Sequence, residues 1–152
     1  MNYIFKLYNK FIIIITADHK ERYLLDTIYS CLKQLSKLDT KIYVIYSKLS
    51  NEYILRRKFI KNKKIVFIKS VIKKKLPTQD QLFKIESILK YLKNEWVLLL
   101  DGDDLFKSHK IKVLNKLKLN RNTIYLNNHE KIFGKKIYIE NEKKYKKNFL
   151  FK

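Results

Sequence analysis

Four short apolar runs, Phe11–Thr16, Ile42–Tyr46, Ile65–Ile68 and Trp96–Leu100, alternate with stretches whose apolar residues recur at helical spacing. A short apolar run without polar alternation is what a strand covered on both faces requires. Between the first two runs, Leu24, Ile28, Cys31, Leu32 and Leu35 share one helical face, which predicts an amphipathic helix from about Glu21 to Ser36. Helices are likewise predicted over Glu52–Ile60 and around Ile111, Leu114 and Leu117. A further helix runs through Leu82, Ile85, Leu89 and Leu92 to about Lys93, with Pro77 in the preceding loop and Thr78 as N-cap. A strand near Thr123–Leu126 and a hairpin around Gly134 follow, and the lysine-rich tail from Asn141 is a short helix or frayed. Strands alternating with helices imply an α/β fold with a mostly parallel central sheet. Right-handed crossovers put the loops after the strands on one edge, where ligands bind in such sheets. Asp18, Tyr46–Ser47 and Asp101–Asp104 are therefore expected to be neighbours in space.

At 152 residues, with 46% hydrophobic residues, the chain is expected to form one domain over 1–152 with a core of its own. Two glycines and one proline leave few breaks, so most of the length should be regular helix or strand. A single cysteine, Cys31, excludes an intramolecular disulfide and a multi-thiolate zinc site, in keeping with a cytoplasmic protein. Lysines precede the apolar run Phe11–Ile15, but that run is too short for a signal peptide or a membrane span and reads as a buried strand.

The formal charge of +21 has three readings. An anionic membrane face or a nucleic acid would attract it. The third is codon bias, because Lys, Asn, Ile, Tyr and Phe, all with A/T-rich codons, are abundant throughout. Lysine far outnumbers arginine, the better bidentate phosphate ligand, and this weighs against nucleic acid.

Against that basic background stands Asp101-Gly102-Asp103-Asp104, three carboxylates in four residues directly after the most apolar strand. Two like charges about 4 Å apart repel by roughly 4 kcal/mol at an effective dielectric near 20. Water, lysines or a metal can offset this, and hard oxygen ligands of this kind suit Mg²⁺ or Mn²⁺. Gly102 would let the backbone turn sharply and a phosphate approach. The plainer alternative is a solvated acidic turn capping the next helix.

The segment Trp96-Val97-Leu98-Leu99-Leu100-Asp101-Gly102-Asp103-Asp104 resembles the D-x-D region of family 2 glycosyltransferases of the GT-A fold. Ile13-Ile14-Ile15-Thr16-Ala17-Asp18-His19 is similar to their first strand and nucleotide loop. The stretch from Tyr23 to Gln34 is similar to the helix that follows, down to its closing glutamine. The likeness covers about Phe11 to Lys118, the nucleotide-sugar-binding core, and leaves 119–152 as a shortened acceptor-side region with a basic tail. It implies a Rossmann-like GT-A domain that moves a sugar from a nucleotide-diphospho-sugar to an acceptor hydroxyl on a glycan, a lipid-linked sugar or a protein, with inversion. It also implies Mn²⁺ or Mg²⁺ as cofactor. Asp103 is then the principal metal ligand, Asp101 contacts the metal, the ribose or both, and Asp104 supports them. Thr16, Ala17, Asp18, His19, Tyr46, Asp101 and Gly102 would bind the nucleotide-sugar.

Two departures from the family pattern bear on the site. Its second strand usually ends in paired aspartates, one of which touches the base, whereas this chain has Tyr46 and Ser47 there; Tyr46 would stack on the base or pack in the core. Ile15 also replaces the proline that usually precedes the threonine of the nucleotide loop. The family's catalytic base lies well beyond the D-x-D. Here the downstream carboxylates are Glu130, Glu140 and Glu142, so one of these serves, or a partner chain supplies the base, or the domain binds without turnover. His129 is a further candidate metal ligand, or a surface-loop residue. His109 is expected to start a helix. Lys84, Lys90 and Lys93 are expected on the wet face of their helix, with one of them reaching a phosphate as the alternative.

Two other functions compete. Gly102-Asp103-Asp104 also resembles the palm motif of RNA-dependent RNA polymerases, but that chemistry needs a second strand-borne aspartate, and only Asp18 is available upstream. A basic module binding nucleic acid or membrane, with the aspartates merely solvated, is the non-enzymatic alternative. If the transferase reading holds, the lysine-rich surface would suit peripheral contact with the inner face of a membrane.

Overall fold

The computed structural model describes residues 10–18, 21–34, 40–70, 76–92, 95–117, 119, 129–133 and 136–140. Within them the four apolar runs become four strands of one sheet: β1 (Phe11–Ala17), β2 (Lys41–Tyr46), β3 (Ile65–Lys69) and β4 (Trp96–Asp101). Three helices alternate with them, α1 (Glu21–Leu32), α2 (Glu52–Phe59) and α3 (Pro77–Leu89), and the short α4 (Lys110–Leu114) follows β4. All pairings in this sheet are parallel, in the order β3-β2-β1-β4. The chain thus walks outward from β1 through β2 to β3 and then returns to lay β4 on the other side of β1. Strand order reverses between β1 and β4, and at such a switch point the loops after the two strands diverge and leave a crevice.

β1 is the centre of this arrangement, buried along its whole length. Alternation of side chains across a strand sends Ile12 and Ile14 to one face, where they pack with Ile45, Ile85 and Ile88. α3 therefore covers that face. α2 rests on the sheet through Phe59, whose ring meets Tyr29 of α1 edge-on at 5.6 Å and Phe67 of β3 at 6.3 Å. Leu24, Ile28 and Cys31 form the buried stripe of α1, as their spacing predicts. Burial pushes the Cys31 thiol up to about 12, so it remains a protonated packing group.

Helix ends depart from expectation in several places. Thr78 does not cap α3: Leu76 is the flanking residue, in an extended conformation, and Pro77 is the first helical residue. Proline suits that position because its missing N–H has no intrahelical acceptor and its φ is already helical. α3 also stops at Leu89 and α4 at Leu114, each short of its predicted end. His109 stands at the start of α4 as its flanking residue, in the left-handed region with φ 77°. The chain divides into two compact units, Met1–Leu117 and Lys118–Lys152. The second holds the expected hairpin, β5 (His129–Phe133) paired antiparallel with β6 (Lys136–Glu140). The strand expected near Thr123–Leu126 and the tail from Asn141 lie outside the described residues.

Candidate functional site

Register brings the site together. Thr16 at the end of β1 stands opposite Asp101 at the end of β4. The Thr16 hydroxyl donates to Asp101 Oδ1 at 3.2 Å. One residue on, the Gly102 N–H donates to the Thr16 carbonyl at 2.8 Å, extending the ladder past the strand end. Two strands this close leave little room for a side chain at 102. A β-carbon there would lie 3.0 Å from Ala17 Cβ, 3.2 Å from Ala17 Cα and 3.2 Å from the Thr16 carbonyl oxygen. Gly102 thus suits the close approach to β1, and any side chain there would press on Ala17 and the Thr16 carbonyl. From the other side the buried Thr27 hydroxyl of α1 donates to the Gly102 carbonyl at 3.0 Å.

α3 supplies a third wall. The Gln81 amide donates to Thr16 Oγ1 at 3.1 Å and also to Asp101 Oδ1. Lys84 corrects the expectation of a wet-face lysine: it is 2% exposed, paired with Asp80 at 2.6 Å, and donates to the Ala17 carbonyl at 3.3 Å. The Ser47 hydroxyl, from the loop after β2, donates to the same Asp80 carboxylate at 3.4 Å. Lys90 is exposed, with its ammonium 5.0 Å from the Tyr91 ring, and Lys93 lies outside the described residues.

These groups border an open cleft of about 280 Å³. Thr16, Ala17, Asp18, Asp101, Gly102 and Asp103 line it, together with Asp80, Gln81 and Lys84 from α3. Asp104 is exposed and outside this lining, and its N–H donates to the Asp101 carbonyl at 3.0 Å, closing the turn. A larger hollow of about 360 Å³ lies between α1 and the loop after the acidic turn, bordered by Tyr29, Lys33, Leu105 and Phe106. It is the smaller cleft that coincides with the switch point.

Tyr46 is a second correction. Its ring is fully buried, and its hydroxyl donates to Glu52 Oε1 at 2.5 Å while accepting from Arg56 Nε at 3.0 Å and Nη2 at 2.6 Å. It has no free face to offer a base. Its proton is held above the usual phenol range, first by burial and then by the bond to Glu52. The Glu52 carboxyl is held below the usual range, chiefly by the Tyr46 hydroxyl, and Lys69 at 3.1 Å adds to this. His19 and Glu142 lie outside the described residues. Glu130, Glu140 and His129 stand on the hairpin strands of the second unit, where His129 is opposite Glu140 in register.

Sequence reading missed Gln81 and Asp80. The signal was available: Asp80, Gln81 and Lys84 occupy the first two turns of the helix entering β4, and those turns start at the strand ends. No pattern in the sequence orients them, however.

Divalent Mg²⁺ is typically bound by one or two carboxylates, with waters and phosphate oxygens completing its shell. Asp101 and Asp103 on one cleft wall are a donor set of that kind, and Asp101 is pre-oriented by two hydrogen bonds through one oxygen. Among the described residues no group of three or more His, Cys, Asp or Glu side chains converges.

No family model matches the sequence, and no curated protein matches it. Solved structures do match the fold. S. aureus TarS 1-349 superposes with a TM-score of 0.56 at 20% identity, over 69% of this chain and 31% of that one. TarS 1-349 in complex with UDP gives 0.55 at 19%, over 69% and 30%. The mannosyltransferase PcManGT from Pyrobaculum calidifontis, in complex with GDP-Man and Mn²⁺, gives 0.56 at 13%, over 72% and 32%. The fold is that of the GT-A-like glycosyltransferases. The chain spans about a third or less of the length of these proteins.

Proposed function

We propose that this chain is the donor-binding core of a metal-dependent, inverting glycosyltransferase of family 2, using a nucleotide-diphospho-sugar and Mn²⁺ or Mg²⁺. The observation that carries the reading is the juxtaposition of Thr16 and Asp101 at the switch point, with Asp101 and Asp103 on the wall of one cleft. An acidic pair there, in a chain of formal charge +21, is hard to explain as surface decoration.

In this reading Asp103 and Asp101 would hold the cation, whose positive charge would favour departure of the diphosphate. Thr16 and Gln81 fix one oxygen of Asp101 and leave the other for ligand. Gly102 and Ala17 keep the floor thin enough for a diphosphate to approach, and Asp18 and Ser47 border the nucleoside end. Asp104 closes the turn and lends negative charge. Glu130 and Glu140 are the candidates for the base that takes the acceptor proton, and the acceptor is a hydroxyl on a glycan, a lipid-linked sugar or a protein.

The test is a thermal-shift screen of UDP- and GDP-sugars with and without Mn²⁺. A ligand that binds only the folded state stabilises by about 4 kcal/mol at a thousandfold its Kd. A rise in Tm is expected only with nucleotide-sugar and metal together, and Asp103→Ala should abolish it while leaving the unliganded Tm nearly unchanged. If no nucleotide-sugar shifts Tm in the presence of metal, the proposal fails.

A further inference from the structure

α2 presents two unlike faces. Its inner face holds Phe59, Glu52 and Arg56, all committed to the protein through Tyr29, Phe67, Tyr46 and Lys69. Its outer face, with the turn that follows, exposes Tyr53 at 73%, Ile54 at 64% and Ile60 at 79%. Between them stand the exposed cations Arg57, Lys58 and Lys61. Helical geometry places all six within one half of the surface. The acid of this helix, Glu52, is on the other half and tied to Arg56 and Lys69. Tyr29, half-exposed beside Phe59, extends the apolar area, with the Lys58 ammonium 5.4 Å from its ring.

A single exposed isoleucine needs no explanation. Three large apolar groups interleaved with three cations on one short face are a different matter. Polyanions such as nucleic acid would reward the cations and leave the isoleucines in water. A bilayer interface with anionic headgroups accepts both, because apolar side chains enter the acyl boundary while Lys and Arg remain among the phosphates. Tyrosine suits the same depth, with an apolar ring and a polar tip.

We infer that the outer face of α2, formed by Tyr53, Ile54, Arg57, Lys58, Ile60 and Lys61, docks this protein on an anionic membrane surface. The surface is built without any residue of the cleft, so the inference stands apart from the donor chemistry. Among the described residues no helix is long and apolar enough to cross a membrane.

Vesicle co-sedimentation tests it, using phosphatidylcholine alone and phosphatidylcholine doped with phosphatidylglycerol. The unaltered chain should partition to the doped vesicles. Ile54→Ser with Ile60→Ser should lower that partitioning roughly tenfold or more, through lost apolar insertion. Arg57→Gln, Lys58→Gln and Lys61→Gln together should cost about fivefold per charge. Removing three exposed charges elsewhere, at Lys41, Lys112 and Lys116, should cost much less, which separates a built surface from bulk charge. All these positions are exposed, and unchanged far-ultraviolet spectra and Tm check that each variant folds. Equal binding to both vesicle types overturns the inference. So does an isoleucine variant that binds as well as the parent, or a variant series in which single-stranded nucleic acid is bound and the isoleucines are irrelevant.

Discussion

Two polar clusters sit on the same edge of one sheet and have been given opposite treatment. At the ends of β2 and β3, Glu52 is matched by the Tyr46 hydroxyl, Arg56 and Lys69, so its charge is cancelled within the protein. At the ends of β1 and β4, Asp101 receives only neutral donors among the bonds just described, from Thr16 and Gln81, and Asp103 lines the cleft beside it. Neutral donors orient a carboxylate without cancelling its charge. In the proposed reading, an Asp101 carboxylate oriented in this way is prepared for a cation, whereas Glu52 is matched for structure. Lys84, which also lines this cleft, is paired with Asp80.

Substitutions can break or sharpen this contrast. The largest effect is expected from Lys84→Met, which leaves the Asp80 carboxylate buried without its ammonium. Breaking a buried pair in this way costs about 3–5 kcal/mol, read as a fall in the urea midpoint. Asp80→Asn with Lys84→Met should recover much of that loss if the pair is structural. Next comes Gln81→Leu. It removes a neutral orienting donor, so stability should change little while Mn²⁺ affinity falls about 10- to 100-fold, the usual cost of losing an outer-shell partner; titration calorimetry with nucleotide-sugar present measures it. An unchanged affinity would mean that Asp101 is not a ligand.

The smallest effect belongs to the self-satisfied rim. Tyr46→Phe should cost about 1 kcal/mol, one net hydrogen bond, with nucleotide-sugar affinity unchanged. Its signature is in pH. Glu52 is held below its ordinary range when folded, so its contribution is present above the unfolded carboxylate value and is lost as pH falls through the folded one. Removing the hydroxyl that chiefly lowers it should shrink the acid-side loss of stability. A loss of donor binding in this variant would show that the two rims are not separate.

Much of this was legible in the chain. Unbroken apolar runs suit strands covered on both faces, and helical periods between them suit crossovers, so the parallel α/β sheet is legible in Ile12–Ile15, Ile42–Tyr46 and Trp96–Leu100, although Leu99 on the edge strand β4 is 55% exposed. Asp101 and Asp103 announce themselves because carboxylates are scarce and crowding them is costly. Other residues were misread because sequence records what a residue is and not which way it faces. Lys84 looks like solvent-facing charge on an amphipathic helix, yet packing turns it under the Ala17 carbonyl. Tyr46 occupies the place where a base contact is expected, and Glu52 and Arg56 draw its hydroxyl away from it.

By itself, then, the sequence determined the class of sheet, the edge on which a ligand would sit and the acidic turn at that edge, because hydrophobic period and charge crowding are local properties. Only the tertiary structure decided that β4 returns beside β1, since strand order depends on which long-range pairing buries the most apolar surface. That choice sets Thr16 against Asp101, crowds any side chain at 102 and brings Gln81 to the same oxygen.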